Sequence, residues 1–286
     1  MLDEYTFRAD MKIKKQKGIE KVWAAIEKNN PTVMVTGIPA TEPRFIIPAI
    51  EAGARIFETN HPALAFSQAH RGVKTQAQAI PYRYEVKMAD MVELVRRLRR
   101  VIPDDAVLNV AAPGFFTEYG PAVVTEEDIY ELSLAGADAL HTEKSDPEDL
   151  ATLIKWADKY GLFVDANIYN PEVKDSLSTA GFHATTPSEV SEVAKRLEGM
   201  GVAMIGIRLS ILYQGLKETP IDPYDLERLS ALAKAVSAPT FALGGINPYN
   251  YKALKGTGVQ IMAIGTAYDI HLQNETRKMT EQFLHG

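Results

Sequence analysis

Cysteine is absent from this chain of 286 residues, which excludes disulfides, thiolate nucleophiles and Cys-ligated metal sites and fits a reducing compartment. Long apolar runs are missing too. None approaches the roughly 20 residues that span a bilayer, and the opening Met1-Leu-Asp-Glu-Tyr5 lacks the basic-then-apolar pattern of a secretory signal. The expectation is a cytoplasmic protein with no membrane partner. Nor is there an excess of positive charge. Lys and Arg number 31 against 37 Asp and Glu, a formal net charge of -6, which gives no support to a nucleic-acid partner. The nearest basic run, Arg96-Arg97-Leu98-Arg99-Arg100, ends a helical pattern, where cations complement the dipole and read as a solvated face. No low-complexity tract or interdomain linker interrupts the chain. Residues 1–286 therefore read as one domain, with an extension over 1–31 and the body over 32–286.

What fills the chain is alternation. Apolar runs of strand length, rich in Val, Ile, Leu, Phe and Met, stand at 32–38, 54–60, 106–112, 137–143, 162–168, 202–210, 239–246 and 259–266. Continuous apolar runs are how strands read when helices cover a parallel sheet. Helical patterns lie between them and open on capping sequences: Thr125-Glu-Glu-Asp, Asp146-Pro-Glu-Asp, Thr186-Pro-Ser-Glu and Asp222-Pro-Tyr-Asp. Gly53, Gly136, Gly161, Gly201 and Gly258 stand where helices should end. An open doubly wound sheet also alternates in this way. Eight units and a length suited to a single barrel favour a closed α/β fold, a (β/α)8 TIM barrel with an N-terminal helical extension. A helix over 19–28 would close its bottom. Two irregular segments, 71–85 and 170–185, offer surface for lids or for contacts in a homo-oligomer.

Barrel strands point alternate side chains inward, and those near the C-terminal ends reach the active-site mouth. Period two therefore groups Ile56, Glu58 and Asn60; Ala139, His141 and Glu143; Asp165 and Asn167; and Gly206, Arg208 and Ser210, while the third strand offers Asn109. Glu58, Glu143 and Asp165 are then carboxylates in strands that should be buried, and uncompensated they would be costly. Arg208 can pair with one; one can stay protonated as an acid or base; or a divalent cation such as Mg²⁺ can sit among Glu58, Glu143 and Asp165. Each can equally be a structural partner of Arg208 or of a backbone group at the rim. His141 is a candidate general acid or base or a hydrogen-bonded core histidine, and His61 reads as either a mouth residue or a solvated one. Lys144 ends the fourth strand. It is a candidate for a Schiff base, for electrostatic contact with substrate, or for a plain rim cation, and alternation turns it away from Glu143.

The last two strands both end in glycine, in Phe241-Ala-Leu-Gly-Gly-Ile246 and Ile261-Met-Ala-Ile-Gly-Thr-Ala267. Bare backbone N–H groups at such turns can cradle an anion, or the glycines serve only as tight strand-to-helix turns. As donors, Gly244, Gly245, Ile246, Gly265 and Thr266 would form the phosphate corner. With the eightfold pattern around them, these two motifs resemble the phosphate-binding (β/α)8 barrels, especially the ribulose-phosphate-binding group. The resemblance implies phosphate at the last two strands and catalytic residues on earlier ones. It does not extend to a subfamily, because the Asp-x-Lys-x-x-Asp motif of the decarboxylase branch is missing from the third strand, which ends Asn109-Val-Ala-Ala-Pro113.

The leading expectation is an enzyme acting on a small phosphorylated carbonyl or sugar compound through an enolate: an aldol-type lyase, an epimerase or isomerase, or a decarboxylase. Glu58, His141, Glu143, Lys144, Asp165, Asn167 and Arg208 are its candidate catalytic residues, and no organic cofactor is expected. The alternatives are a hydrolase or transferase on a non-phosphorylated substrate, and a non-catalytic barrel that binds a phosphorylated metabolite.

Overall fold

Each apolar run of the sequence contains a strand. The computed structural model describes residues 4–68, 70–114, 124–172, 181–210, 213 and 218–285. The strands are β1 (Thr32–Thr36), β2 (Ile56–Asn60), β3 (Val107–Ala111), β4 (Ala139–Thr142), β5 (Phe163–Tyr169), β6 (Phe182–His183), β7 (Met204–Arg208), β8 (Thr240–Leu243) and β9 (Ile261–Ile264). Every pairing is parallel. β1 joins both β2 and β9, and β4 joins both β3 and β5, so eight strands close on themselves. The two-residue β6 lies outside the ring, paired only to the end of β5. It falls in a stretch expected to be irregular; residues 173–180 of that stretch lie outside the described residues.

The register shows why the ring is a barrel rather than a rolled sheet. Met34 pairs with Ile56, and Ile56 with Val107, at one level. The level then climbs two residues at each of four junctions, where Asn109 meets Ala139, Asp165 meets Met204, Gly206 meets Phe241, and Ala263 meets Met34. Four steps of two residues give a shear of eight, the value that eight tilted strands need in order to close around packed side chains.

Each of the eight ring strands gives an apolar residue to the floor. Met34, Ile56, Val107, Ala139, Phe163, Met204, Phe241 and Ile261 form one cluster with Val22, Ala25 and Ile26. Those three belong to α1 (Glu4–Lys28), which therefore plugs the floor. The helix is longer than its apolar end suggested, because polar ties hold its first half, where Lys14 Nζ donates to Ser133 and Lys15 pairs with Asp158, and Lys21 Nζ further along lies 2.8 Å from Asp138. Asp138 also takes Arg99, which the sequence placed on a solvated face. Arg99 instead turns in to the floor, and its Nε donates to the carbonyl of Gly136.

Outside the ring, α2 (Pro43–Glu51), α5 (Met88–Arg99), α6 (Glu126–Ala135), α7 (Pro147–Lys159), α8 (Pro187–Met200) and α9 (Pro223–Ala235) cover the outward face of the sheet. Their buried stripes, such as Met91, Val95 and Leu98 on α5 or Leu229 and Leu232 on α9, pack on Leu108, Val110, Ile205 and Ala242. The capping sequences do what their spacing demands. Thr125 and Asp128, and Thr186 and Glu189, form reciprocal capping boxes, and α6 ends on Gly136 in the left-handed region. Between β2 and α5 the chain forms α3 (His61–Ser67), α4 (Gln76–Ala79) and a 3-10 turn over Ile80–Glu85. Between β8 and β9 only a 3-10 turn forms, Tyr251–Gly256, and α10 (Thr266–His285) follows β9. Among the described residues no helix is long and apolar enough to cross a membrane.

Candidate active site at the barrel mouth

Two residues above the apolar floor the same strands turn polar. Glu58, Asn109, His141, Asp165 and Asn167 are all buried and all face the interior. His141 is the hub. Its Nδ1 lies 2.8 Å from Asp165 Oδ2, and its Nε2 lies 3.1 Å from Asn167 Nδ2 and 3.9 Å from Glu143 Oε1. Asn109 Nδ2 donates to the other oxygen of Asp165 at 2.6 Å. Both Asp165 oxygens are thus engaged, which fixes the carboxylate and through it the imidazole ring. Glu143 is buried one step further out and accepts from the Tyr169 hydroxyl. The Arg208 guanidinium comes over the Tyr169 ring, 5.9 Å from its centroid, at the outer reach of a cation–π contact.

The electrostatics follow from burial and neighbours. Burial works against a charged His141, yet the charge and hydrogen bond of Asp165, with help from Glu143 and Glu58, outweigh it and hold the imidazole pKa well above the ordinary histidine value. Burial pushes the Glu58 carboxyl up; nearby His141 pulls it down and Asp165 pushes it up, while donors from Asn60 and Thr36 lower it. A carboxyl and an imidazole that are both raised, side by side in a ring of fixed partners, form a candidate acid–base pair in which burial favours the neutral carboxyl and Asp165 favours the charged imidazole.

Glu58 is set by a second group. Asn60 Nδ2 lies 3.2 Å from Glu58 Oε1, and Asn60 Oδ1 accepts from Ala63 N at 2.9 Å and from Gln76 Nε2 at 3.0 Å. Asn60 is therefore both the cap of α3 and the donor to Glu58. Gln76 and Tyr169 were missed in the sequence: Gln76 sits in a segment without periodicity, and the apolar run over 162–168 stops one residue short of Tyr169, which continues the face of Asp165 and Asn167 to the end of β5. His61, buried at the start of α3, faces the Ala111 carbonyl at 3.2 Å. Burial drives its pKa down to about 4, against that hydrogen bond and with Arg83 lowering it further. Lys144 stands apart from the network and pairs with Asp149 at 3.2 Å, beside the start of α7. Among the described residues no three His, Asp or Glu side chains gather as a metal-ligand set.

The two glycine ends lie at the rim. A Cβ on Gly244 would come 2.8 Å from the Leu209 carbonyl oxygen, and Gly244 has φ +93; a Cβ on Gly265 would come 2.6 Å from the Thr36 oxygen. Close strand packing therefore requires glycine at both positions, whatever binds there. Asn250 Nδ2 and Asn247 Nδ2 both donate to the Gly245 carbonyl, at 3.0 and 3.3 Å, which stiffens the first turn. The second turn opens α10, and a cavity of about 120 Å³ lies against it, lined by Ile38, Thr75, Gln76, Gly265, Thr266 and Asp269 among others. Gly244, Gly245 and Ile246 are not part of that lining. Asp269 was not foreseen. Burial raises its carboxyl pKa, and Gln273 Nε2 donates to it at 2.9 Å.

The fold has known counterparts. Residues 184–268, which carry β7, β8, β9 and both glycine turns, match the family model described as thiamine monophosphate synthase. The fold is a closed (β/α)8 barrel. A mutant tryptophan synthase alpha-subunit from Pyrococcus furiosus superposes with a TM-score of 0.59 at 14% identity, over 87% of this chain and 92% of that one. A thiamine phosphate pyrophosphorylase, also from Pyrococcus furiosus, superposes at 0.50 with 18% identity, over 91% and 99%. Identities this low bear on the fold alone. No curated protein matches the chain by sequence.

Proposed function

We propose that this barrel is an enzyme that moves a proton next to the carbonyl of a small phosphorylated substrate, through an enolate. The observation that carries this reading is the buried line Asn109–Asp165–His141, aimed at Glu143 and set beside Glu58. In it, Asp165 holds the imidazole through Nδ1, so the working atom is Nε2, which faces the interior between Asn167 and Glu143. When neutral, Nε2 accepts a hydrogen bond from the Asn167 amide and, once substrate takes the place of that contact, can accept a proton from substrate carbon. When protonated, it can return that proton to the neighbouring carbon or oxygen of the enolate. Glu58, with its raised carboxyl, is the second acid–base group, and Arg208 would stabilise the developing oxyanion.

The backbone N–H groups of Gly245, Ile246, Gly265 and Thr266 would hold the phosphate, at the turns that the thiamine monophosphate synthase model also covers. Asp269 gives the neighbouring cavity an acceptor wall, suited to a substrate hydroxyl. Lys144, paired with Asp149, is assigned no chemical step. Glu58, Glu143 and Asp165 are the carboxylates a divalent cation would meet. Since the oxygens of Asp165 already face Asn109 and His141, no step is routed through a metal.

The test needs no knowledge of the product. A panel of phosphorylated aldoses, ketoses and oxo acids is incubated in D₂O and followed by proton NMR. Enzyme-dependent exchange of a C–H next to the carbonyl, abolished in His141→Asn, is the expected result. Absence of exchange across the panel, together with no binding of inorganic phosphate by ³¹P NMR, would overturn the reading. Binding without exchange, unaffected by His141→Asn, would favour a phosphometabolite-binding barrel instead.

A further inference from the structure

The line that holds His141 begins with an amide that is only half used. Asn109 lies two residues above the floor residue Val107 on β3 and is 0% exposed. Its Nδ2 donates to Asp165 Oδ1 at 2.6 Å. A carboxylate oxygen accepts and does not donate, so Asp165 fixes which end of the amide faces it. Oδ1 is thereby turned away from Asp165, and among the described residues it has no hydrogen-bond partner. Asn167 Oδ1 is also buried and unpartnered, but its amide carries no such instruction, because His141 Nε2 takes a donor when neutral and offers one when charged. An acceptor buried without a donor is costly, and at the mouth of a barrel a ligand can supply what is missing.

The neighbours say what kind of donor fits. Glu58 on β2 and Ala139 on β4 stand level with Asn109, and the short Ala139 side chain lets Asn109 reach across to Asp165 on β5. Burial favours the neutral carboxyl of Glu58. Burial opposes a charged His141, yet Asp165 holds its pKa well above the ordinary histidine value, so an ammonium donor would meet a like charge there. A neutral hydroxyl meets none. Around the ring, three strands separate β3 from β8 in either direction, which sets Asn109 across the mouth from the 244–246 turn. A molecule whose phosphate rests at the glycine turns must cross the mouth to reach Asn109, and this selects a chain of several carbons with a hydroxyl at its far end.

We infer that Asn109 Oδ1 is a specificity-determining contact that accepts from a hydroxyl of a phosphorylated, polyhydroxylated carbon chain. Resting on the phosphate anchor of the proposed function, this contact narrows the substrate from phosphorylated carbonyl compounds at large to those of sugar type.

Calorimetric titration of the full chain with ribitol-5-phosphate and with n-pentyl phosphate tests this, because the two esters share a chain length and neither has a carbonyl to react. Asn109→Ala should weaken ribitol-5-phosphate by about tenfold and n-pentyl phosphate by less than about twofold. Asn109→Leu, close to asparagine in shape, carries the same expectation should Asn109→Ala not fold. Asn109→Asp gives up the donor to Asp165 but keeps an oxygen in place of Oδ1, and it should bind ribitol-5-phosphate within about threefold of the parent. Equal losses for the two esters would leave Asn109 as a support of Asp165, or as a partner of Glu58, and would overturn the contact. So would no loss at all, or an Asn109→Asp as damaging as Asn109→Ala. Hydroxyl-dependent binding with no carbon–deuterium exchange in any sugar phosphate removes the enolate step and keeps the contact; exchange with equal losses does the reverse. If neither ester binds the parent, the contact falls, and titration with inorganic phosphate decides the anchor separately.

Discussion

The floor and the mouth of the barrel are built from the same strands, two residues apart. On β5, Phe163 faces the floor and Asp165 the mouth; on β3 the pair is Val107 and Asn109, on β2 Ile56 and Glu58, on β4 Ala139 and His141. Both layers are buried, so exposure does not separate them. What separates them is how burial is compensated. The floor gains free energy by removing apolar area from water, at about 25 cal/mol per Å². The mouth must offset desolvation of carboxylates and an imidazole with hydrogen bonds and opposite charge. Buried polar groups that must be matched one by one are a poor route to stability, and their concentration at one end of the strands marks the place where chemistry is done.

If that division holds, damage to the mouth should remove activity and damage to the floor should remove stability. The largest effect is expected from His141→Asn, which keeps a polar group in place but cannot shuttle a proton. Exchange at the carbon next to the carbonyl should fall by about a thousandfold, within the usual range for general acid–base catalysis, while circular dichroism and the melting profile still report a folded barrel. Asp165→Asn should do nearly as much by releasing the ring. Phe163→Ala is the converse. It empties a fully buried site beneath Asp165, so chemical denaturation should show a loss of about 3–5 kcal/mol, with the exchange rate per folded molecule within a few fold of the parent. A floor variant that cut the rate as deeply as His141→Asn would erase the distinction.

Much of this was legible in the sequence, and the reason is the simple period of a strand. Alternation placed Glu58, His141, Asp165 and Asn167 on the interior side, because a barrel strand has only two faces and one of them was needed for the helices. Capping sequences located the helix starts within a residue or two, because a cap is a local hydrogen-bond requirement. What alternation could not supply was partnership. That Asp165 would hold His141 rather than Arg208 depends on register between strands, which no single strand carries: His141 pairs level with Asp165, whereas Asp165 meets Met204 on β7, four residues before Arg208. Gln76 and Asp269 reach their places through an insertion and a helix turn, neither of them periodic, while Tyr169 follows the period of Asp165 and Asn167 one residue beyond the apolar run. The same blindness applies at the floor, where Arg99 belonged to a basic run by sequence and to Asp138 by tertiary packing.

His61 sharpens the comparison through pH. It is buried at the mouth yet kept neutral, with a folded pKa of about 4. The unfolded chain takes up a proton near pH 6.5, the folded one not until about 4, so stability falls as pH drops through that window, by about 3 kcal/mol in all. Urea titrations between pH 7 and 4 should show this slope, and His61→Asn should flatten it. His141 has the opposite sign. Its pKa is raised on folding, so its contribution is complete below the unfolded value and is lost only as pH rises through the elevated one. Acid therefore tests His61 and alkali tests His141; a loss on the acid side that survives His61→Asn would assign the slope elsewhere.

The smallest effect is expected from Lys144, and it bears most directly on what counts as the mouth. In chain order Lys144 follows Glu143, and a lysine at a strand end invites the thought of a Schiff base. In the fold its ammonium faces Asp149, with side chains 27% and 57% exposed, a surface pair of the kind that contributes little. Alternation and geometry agree that it leaves the ring on the helix side. Lys144→Ala should therefore change the exchange rate by less than about threefold and stability by no more than about 0.5 kcal/mol. Borohydride added with an exchanging substrate should leave the parent's mass unchanged. Loss of activity in Lys144→Ala with a trapped adduct in the parent would move the nucleophile to the outer side of β4, and the line through Asp165 and His141 would become its support.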